Sequence, residues 1–245
     1  MSTLRPRLLG SMLLGLTFLG GGCGRRSANT SQPEALVSLE QYQESFNIVR
    51  SVDYLPFKVT RDGCYARALF LAMELAVQGI PSSSTFVVAP QGELLYLNDG
   101  TPWLYHIAPM LQVPGYAPMI LDPAMSAAPM RQQDWLQAMH GQNAFVYSLP
   151  GSDYGYRYGT QVLGSQIVSS LDQMPAFRVE DIQHACQSLD KFWGEAQGIT
   201  ETDRALHRQA LATRAVELGQ QLLARGKLVN AVGLTRYDCQ LAPSW

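Results

Sequence analysis

The chain has 245 residues, of which 47% are hydrophobic and 16% charged, and 18 Lys and Arg against 20 Asp and Glu leave a formal net charge of −2. That length holds one large domain or one domain with an appendage. With the basic residues never clustering beyond Arg25-Arg26, composition argues against a nucleic-acid binder.

The chain opens on a positively charged start, Arg5 and Arg7, then an apolar run from Leu8 to Leu19, then the small-residue stretch GGGCG. This is the pattern of a secretory signal peptide over residues 1–22, and the apolar run is too short to span a bilayer. Cys23 stands where a bacterial lipoprotein is cut and lipidated, although Gly20 occupies the place where Leu is usual. Residues 23–38 then read as a lipidated cysteine and a polar tether. The expectation is an exported protein: an envelope lipoprotein, of the outer membrane, held by lipid on Cys23, or a secreted protein.

A helix is expected to begin near Cys64. Asp62 or Thr60 is placed to cap it, Leu69, Phe70, Met73 and Val77 supply a buried stripe, and Gly79 with Pro81 ends it. Gly63 allows a tight approach or a positive φ just before the thiol. A cysteine in a first helical turn feels the positive end of the helix dipole, which favours the thiolate that a nucleophile needs. Taken alone, such a cysteine is better read as a small residue starting a core helix.

Next come short β-type runs, Ser84–Ala89, Glu93–Leu97, Leu104–Leu111 and Ala117–Leu121, separated by turn residues. Residues 81–160 carry seven charged side chains and residues 161–245 carry seventeen. The second segment is helical by its periodicity: Ile182, Ala185, Cys186, Leu189 and Trp193 share one face, and Leu211, Ala215, Leu218 and Leu222 share another. The expected architecture is α+β: a helix, an antiparallel sheet and a helical C-terminal part.

Cys64 does not stand alone. His106 lies in one β-type run and Asp122 at the end of the next, so adjacent strands can present an imidazole and a carboxylate side by side. Thiol, imidazole and carboxylate in that order suit nucleophilic acyl transfer: the imidazole moves the proton and the carboxylate orients it. It is the order of transglutaminase-like and related thiol enzymes.

The words around these residues are more specific. PFKVTRDGCYARA (Pro56–Ala68), WLYHIA (Trp103–Ala108) and MILDPAM (Met119–Met125) resemble the bacterial protein-glutaminase family, whose members deamidate glutamine side chains in intact proteins. The resemblance runs from about Tyr54 to Gly159 and includes SDYGYRYG (Ser152–Gly159). It implies a papain/transglutaminase-like core with the catalytic helix packed on the sheet, over residues 39–165, with residues 166–245 as a helical C-terminal part that has no counterpart in the family pattern. It implies Cys64 as nucleophile, His106 as acid/base and Asp122 as orienting carboxylate, a protein or peptide substrate with an accessible Gln, and no metal or organic cofactor. The long pro-segment typical of the secreted enzymes is not expected, since little separates the signal from the first block.

Other residues keep two readings. Trp103 walls a substrate channel or packs in the core. Tyr154, Tyr156 and Tyr158 alternate, and line a Gln-binding cleft or are ordinary sheet aromatics. Asp62 reads as a cap rather than a catalytic group, and Arg67 as half of a structural ion pair rather than a substrate contact. His140, His184 and His207 read as surface or satisfied histidines, and His184 with Cys186 lacks the second close pair a metal site needs. In an oxidising compartment Cys186 is expected to pair with Cys239, leaving Cys64 free to act. Three function classes follow: a glutamine deamidase, another thiol acyl-transfer enzyme (transglutaminase or cysteine protease), and a non-catalytic envelope adaptor, against which the intact Cys, His and Asp argue.

Overall fold

The computed structural model describes residues 36–58, 62–97, 99–154, 176–196 and 198–229. Helix α1 (Leu39–Ser51) starts on a capping box in which the Ser38 hydroxyl accepts from the Gln41 N–H and the Gln41 side chain accepts from the Ser38 N–H. Leu36 and Val37, within the stretch expected to be tether, already belong to the fold. Val37 is buried and its N–H donates to the Gln112 carbonyl at 2.9 Å.

Helix α2 (Cys64–Val77) is buried along its whole length, on every face. The expectation of a single buried stripe was too narrow: with Ala, Leu, Phe and Met all round, the helix has no polar side to show water. Its end follows the expected glycine. Gly79 has φ +75°, and Gly79 N–H to Ala76 O with Ile80 N–H to Leu75 O forms a Schellman motif. Its start departs from the expectation. Gly63 itself is the N-cap, at φ +82°, with no side-chain cap, and the Asp62 carboxylate accepts from the Gly63 N–H at 2.7 Å instead.

The four expected strands are present: β1 (Ser83–Val88), shifted by one residue, and β2 (Leu95–Tyr96), β4 (Tyr105–Leu111) and β5 (Met119–Ile120), each shorter than expected; β3 (Pro102–Trp103), not expected, lies between β2 and β4. Then come β6 (Met130–Arg131), helix α3 (Gln132–Ala138) and β7 (Phe145–Pro150). Five of these strands make an antiparallel sheet in the order β6-β5-β4-β1-β7, and β2 and β3 form a separate hairpin. Period-2 alternation gives the sheet two faces. Phe86, Val88, Ile107 and Leu111 pack with α2, whereas Val87, Ala108, Met110 and Ile120 pack with Trp103, Trp135 and Met139 on the far side.

Beyond the sheet lie β8 (Phe177–Arg178), α4 (Val179–Glu195), α5 (Glu201–Ala224) and β9 (Leu228–Val229), with β8 and β9 parallel. Most of the expected faces are buried: Ile182, Ala185, Cys186 and Leu189 of α4, and Leu211, Ala215, Leu218 and Leu222 of α5, join the same core as α2. Trp193, expected on the α4 face, is half-buried and stacks on His207, and Phe192 is buried instead. Among the described residues no helix is long and apolar enough to cross a membrane.

Glu74 shows what the burial of α2 demands. It is 4% exposed, and its carboxylate accepts from Arg214 of α5 at 2.6 and 2.7 Å and from the Tyr54 hydroxyl at 2.7 Å. Arg214→Met should therefore destabilise the protein by about 1–3 kcal/mol, the cost of leaving a buried polar group short of a partner. Urea unfolding measures it, and an unchanged midpoint would show that α5 does not clamp α2 through this pair.

Candidate active site

Three separate elements converge. Cys64 is the first residue of α2, His106 lies on β4, and Asp122 follows β5. The sheet register explains the meeting place. β5 pairs with β4 only at Met110–Ile120 and Leu111–Met119, and the Leu121 N–H still reaches the Pro109 carbonyl. The pairing stops short of His106, and the chain leaving β5 delivers Asp122 to that imidazole.

The His106 Nε2 and Asp122 Oδ2 are 2.8 Å apart, with the imidazole 1% exposed. Nδ1 is the nitrogen left over; it is buried and makes no hydrogen bond of standard geometry. Cys64 is close enough to act on the ring as a hydrogen-bonding and charged neighbour. The carboxylate sits on Nε2, whereas in the Ser-His-Asp template it faces Nδ1.

Trp103 and Trp135 enclose the imidazole. Trp103 stacks on His106 with ring centroids 4.2 Å apart at 21°, and Trp135 lies tilted at 5.4 Å. The Trp135 indole N–H also donates to Asp122 Oδ2 at 2.9 Å, and the Ala124 N–H reaches Oδ1 at 3.2 Å. Asp122 is therefore held by an imidazole, an indole and a backbone amide. The sequence reading missed Trp135, because α3 carries no motif. Its signal was only general: a buried indole N–H needs an acceptor.

The electrostatics follow from this packing. Burial by itself lowers the proton affinity of His106, but the Asp122 charge and hydrogen bond, with Cys64, outweigh it and raise the pKa to about 9. Burial pushes Asp122 up, yet the imidazolium, the indole N–H and the Arg67 charge hold its carboxyl below the usual value. The two shifts agree on a buried ion pair. Gly63 O already takes the N–H groups of Ala66 and Arg67, at 3.1 and 3.0 Å. The Cys64 amide is among the first-turn N–H groups for which a helix has no internal acceptor.

The other expected residues fall in different places. Trp103 is both a core residue and a wall of the imidazole. Tyr154 is 2% exposed and packed edge-on to Tyr65 at 5.8 Å, with its hydroxyl 2.6 Å from His184 Nδ1. As placed, it sits in the core next to the residue following Cys64. Arg67 is buried beside the site, and its Nη1 donates to the Asp62 carbonyl at 2.9 Å. Cys64 is free and Cys186 is disulfide-bonded. Tyr156, Tyr158, Cys23 and Cys239 lie outside the described residues.

Residues 40–139 match the family described as Glutaminase. Similar solved structures include a crystal structure of protein-glutaminase, 20% identical, with a TM-score of 0.48, covering 69% of this chain and 94% of that one. A crystal structure of pro-protein-glutaminase is 22% identical with a TM-score of 0.41, covering 49% of this chain and 50% of that one. The NMR structure of protein-glutaminase from Chryseobacterium proteolyticum is 22% identical with a TM-score of 0.40, covering 49% and 75%. The chain thus spans about half the length of the pro-protein-glutaminase it matches. No curated protein sequence matches the chain.

Two predictions follow from this geometry. His106 is more basic folded than its ordinary 6.5, so the folded state holds a proton that the unfolded chain releases first. That stability is full below pH 6.5 and is lost as pH rises through about 9. Unfolding free energy measured across this window should fall for the wild type and run flatter for His106→Gln. Gly63→Ala, in turn, places a Cβ 2.6 Å from the Phe192 ring at a φ of +82°. It should cost about 1–3 kcal/mol in chemical denaturation, and a neutral substitution would mean that the turn does not need this φ.

Proposed function

Starting from the glutaminase-family segment that residues 40–139 make up, we propose that this protein hydrolyses the side-chain amide of glutamine residues in proteins or peptides, releasing ammonia and leaving glutamate. The observation that carries the reading is the imidazole bound to Asp122 through Nε2 at 2.8 Å, with a free thiol at a helix start as a neighbour of the same ring.

In this reading the papain/transglutaminase-like arrangement works as follows. At rest Nδ1 of His106 already holds the proton taken from Cys64, while Nε2–H stays bonded to Asp122. The sulfur attacks the carboxamide carbon, and the developing oxyanion is met by first-turn backbone N–H groups, with that of Cys64 among them. His106 returns its proton to the departing nitrogen, the C–N bond breaks, and ammonia leaves a thioester. Water then gives a proton to His106 and attacks the thioester; the C–S bond breaks, and the sulfur is again a thiolate beside the protonated imidazole. These side chains and water account for every proton and electron pair. Trp103 and Trp135 keep bulk water from the imidazole, where the ion pair with Asp122 is strengthened by a low dielectric.

The same reading makes Cys23 a lipid attachment point or the first residue of a secreted form, and pairs Cys186 with Cys239. Peptide mapping of the unreduced protein tests the pairing. Alkylation at Cys64 and none at Cys186 is expected, and labelling at Cys186 alone would refute it.

The decisive assay is ammonia release from an unfolded Gln-rich protein, a blocked Gln peptide, a blocked Asn peptide and free glutamine. The segment around the site is poor in charge, so it grips an apolar stem and flanking backbone better than free α-amino and α-carboxylate groups. Backbone-flanked Gln should be the better substrate. Asn should be poor, because a displacement of about 1 Å can cost about a hundredfold. Cys64→Ala should abolish release, His106→Ala nearly so, and Asp122→Asn should lower it by orders of magnitude. Wild-type activity in Cys64→Ala sinks the assignment. Amine incorporation in preference to water points to a transglutaminase, and peptide-bond cleavage to a protease.

A further inference from the structure

The turn that presents Cys64 is tied to Arg67 and crowded by Phe192. Arg67 lies three residues into α2, and helical side chains lean back toward the N-terminus, so it reaches over the first turn. Its Nη1 donates to the Asp62 carbonyl at 2.9 Å. A Cβ placed on Gly63 would stand 2.6 Å from the Phe192 ring of α4 and 3.4 Å from Arg67 Nη1. The guanidinium and the phenyl ring thus both lie against the Asp62–Gly63 turn. Arg67 is 3% exposed.

We propose that Arg67 is a positioning residue of this site: it fixes the turn that aims Cys64 and sets a permanent cation behind the sulfur. The inference rests on Cys64 being the nucleophile. The groups that feel the guanidinium are Cys64 and Tyr65 on its own helix, Asp62 on the turn before it and Asp122 after β5. On α4, Lys191 lies over the Phe192 ring, 5.8 Å from its centre. His106 supplies the second cation beside the sulfur, but one that titrates. Arg67 does not, so it keeps its positive charge beside Cys64 at every working pH. A lysine keeps the charge but lacks the planar fork that spans to the Asp62 carbonyl.

The test pairs two measurements on wild type, Arg67→Met and Arg67→Lys: the pH profile of iodoacetamide alkylation at Cys64, mapped by peptide, and the kcat and KM for a blocked Gln peptide. Removing a nearby opposite charge should move the alkylation midpoint of Arg67→Met up by about one unit or more. Its kcat should fall by about tenfold to a hundredfold with KM little changed, as expected for lost alignment rather than lost binding. Arg67→Lys should keep the wild-type alkylation profile and still lose kcat, which separates the charge from the clamp. Should Arg67→Met fail to fold, the Lys variant carries the test: a wild-type profile with reduced kcat supports the proposal, and an unaltered kcat overturns it. An unshifted profile in a folded Arg67→Met, or a change in KM alone, also overturns it. Ammonia release by Cys64→Ala would instead refute the nucleophile reading, and the alkylation profile, which needs no substrate, reports the Arg67–Cys64 coupling separately.

Discussion

Helix α2 is buried on all its faces, yet it must offer a reactive sulfur at one end. Most of the structure answers to that constraint. An apolar helix enclosed by a sheet and three other helices loses water from its charged residues, so each must be met by protein. Glu74 is met by Arg214 and Tyr54, and Arg67 by the Asp62 carbonyl at the helix start. Both charges tie α2 to its surroundings, one near its C-terminal half and one at its tip.

At that tip, Gly63 does what no other residue type does without strain. Its positive φ turns the chain sharply into the helix, and its missing side chain lets Phe192 lie against the backbone. The C-terminal helices are therefore part of what shapes the site. Phe192 covers the turn, Trp193 donates to the Tyr54 carbonyl at 3.0 Å, and Arg214 holds Glu74. This helical C-terminal layer packs directly on the cysteine helix.

The far face of the sheet contributes the other half. By alternation, His106 shares its face with Ala108 and Met110, among the two tryptophans, while α2 packs on the opposite face. The two halves meet because β5 is short: where its pairing with β4 ends, the edge is open to Asp122 and to the start of α2. A longer β5 would close that gap. Burial alone would lower the His106 pKa, but the Asp122 charge and hydrogen bond, with Cys64, outweigh it and raise it to about 9, with Asp122 itself held by Trp135 and Ala124.

Much of this was legible in the amino-acid order. The helix after Gly63 and its stop at Gly79, four of the strands, the apolar faces of α4 and α5, and Cys64, His106 and Asp122 as one group are all local patterns of period and spacing. Short-range sterics and burial write such patterns directly into the chain. What needed the tertiary structure is what depends on distant residues meeting. Trp135 supports Asp122 from a short helix without a motif. Phe192 presses on a glycine 129 residues before it (192 − 63). Asp62 bonds the Gly63 amide instead of capping α2, and the chain turns at Gly63 through a positive φ. Where Asp122 meets the imidazole follows from the register of β5 on β4, a pairing between segments that no local periodicity encodes.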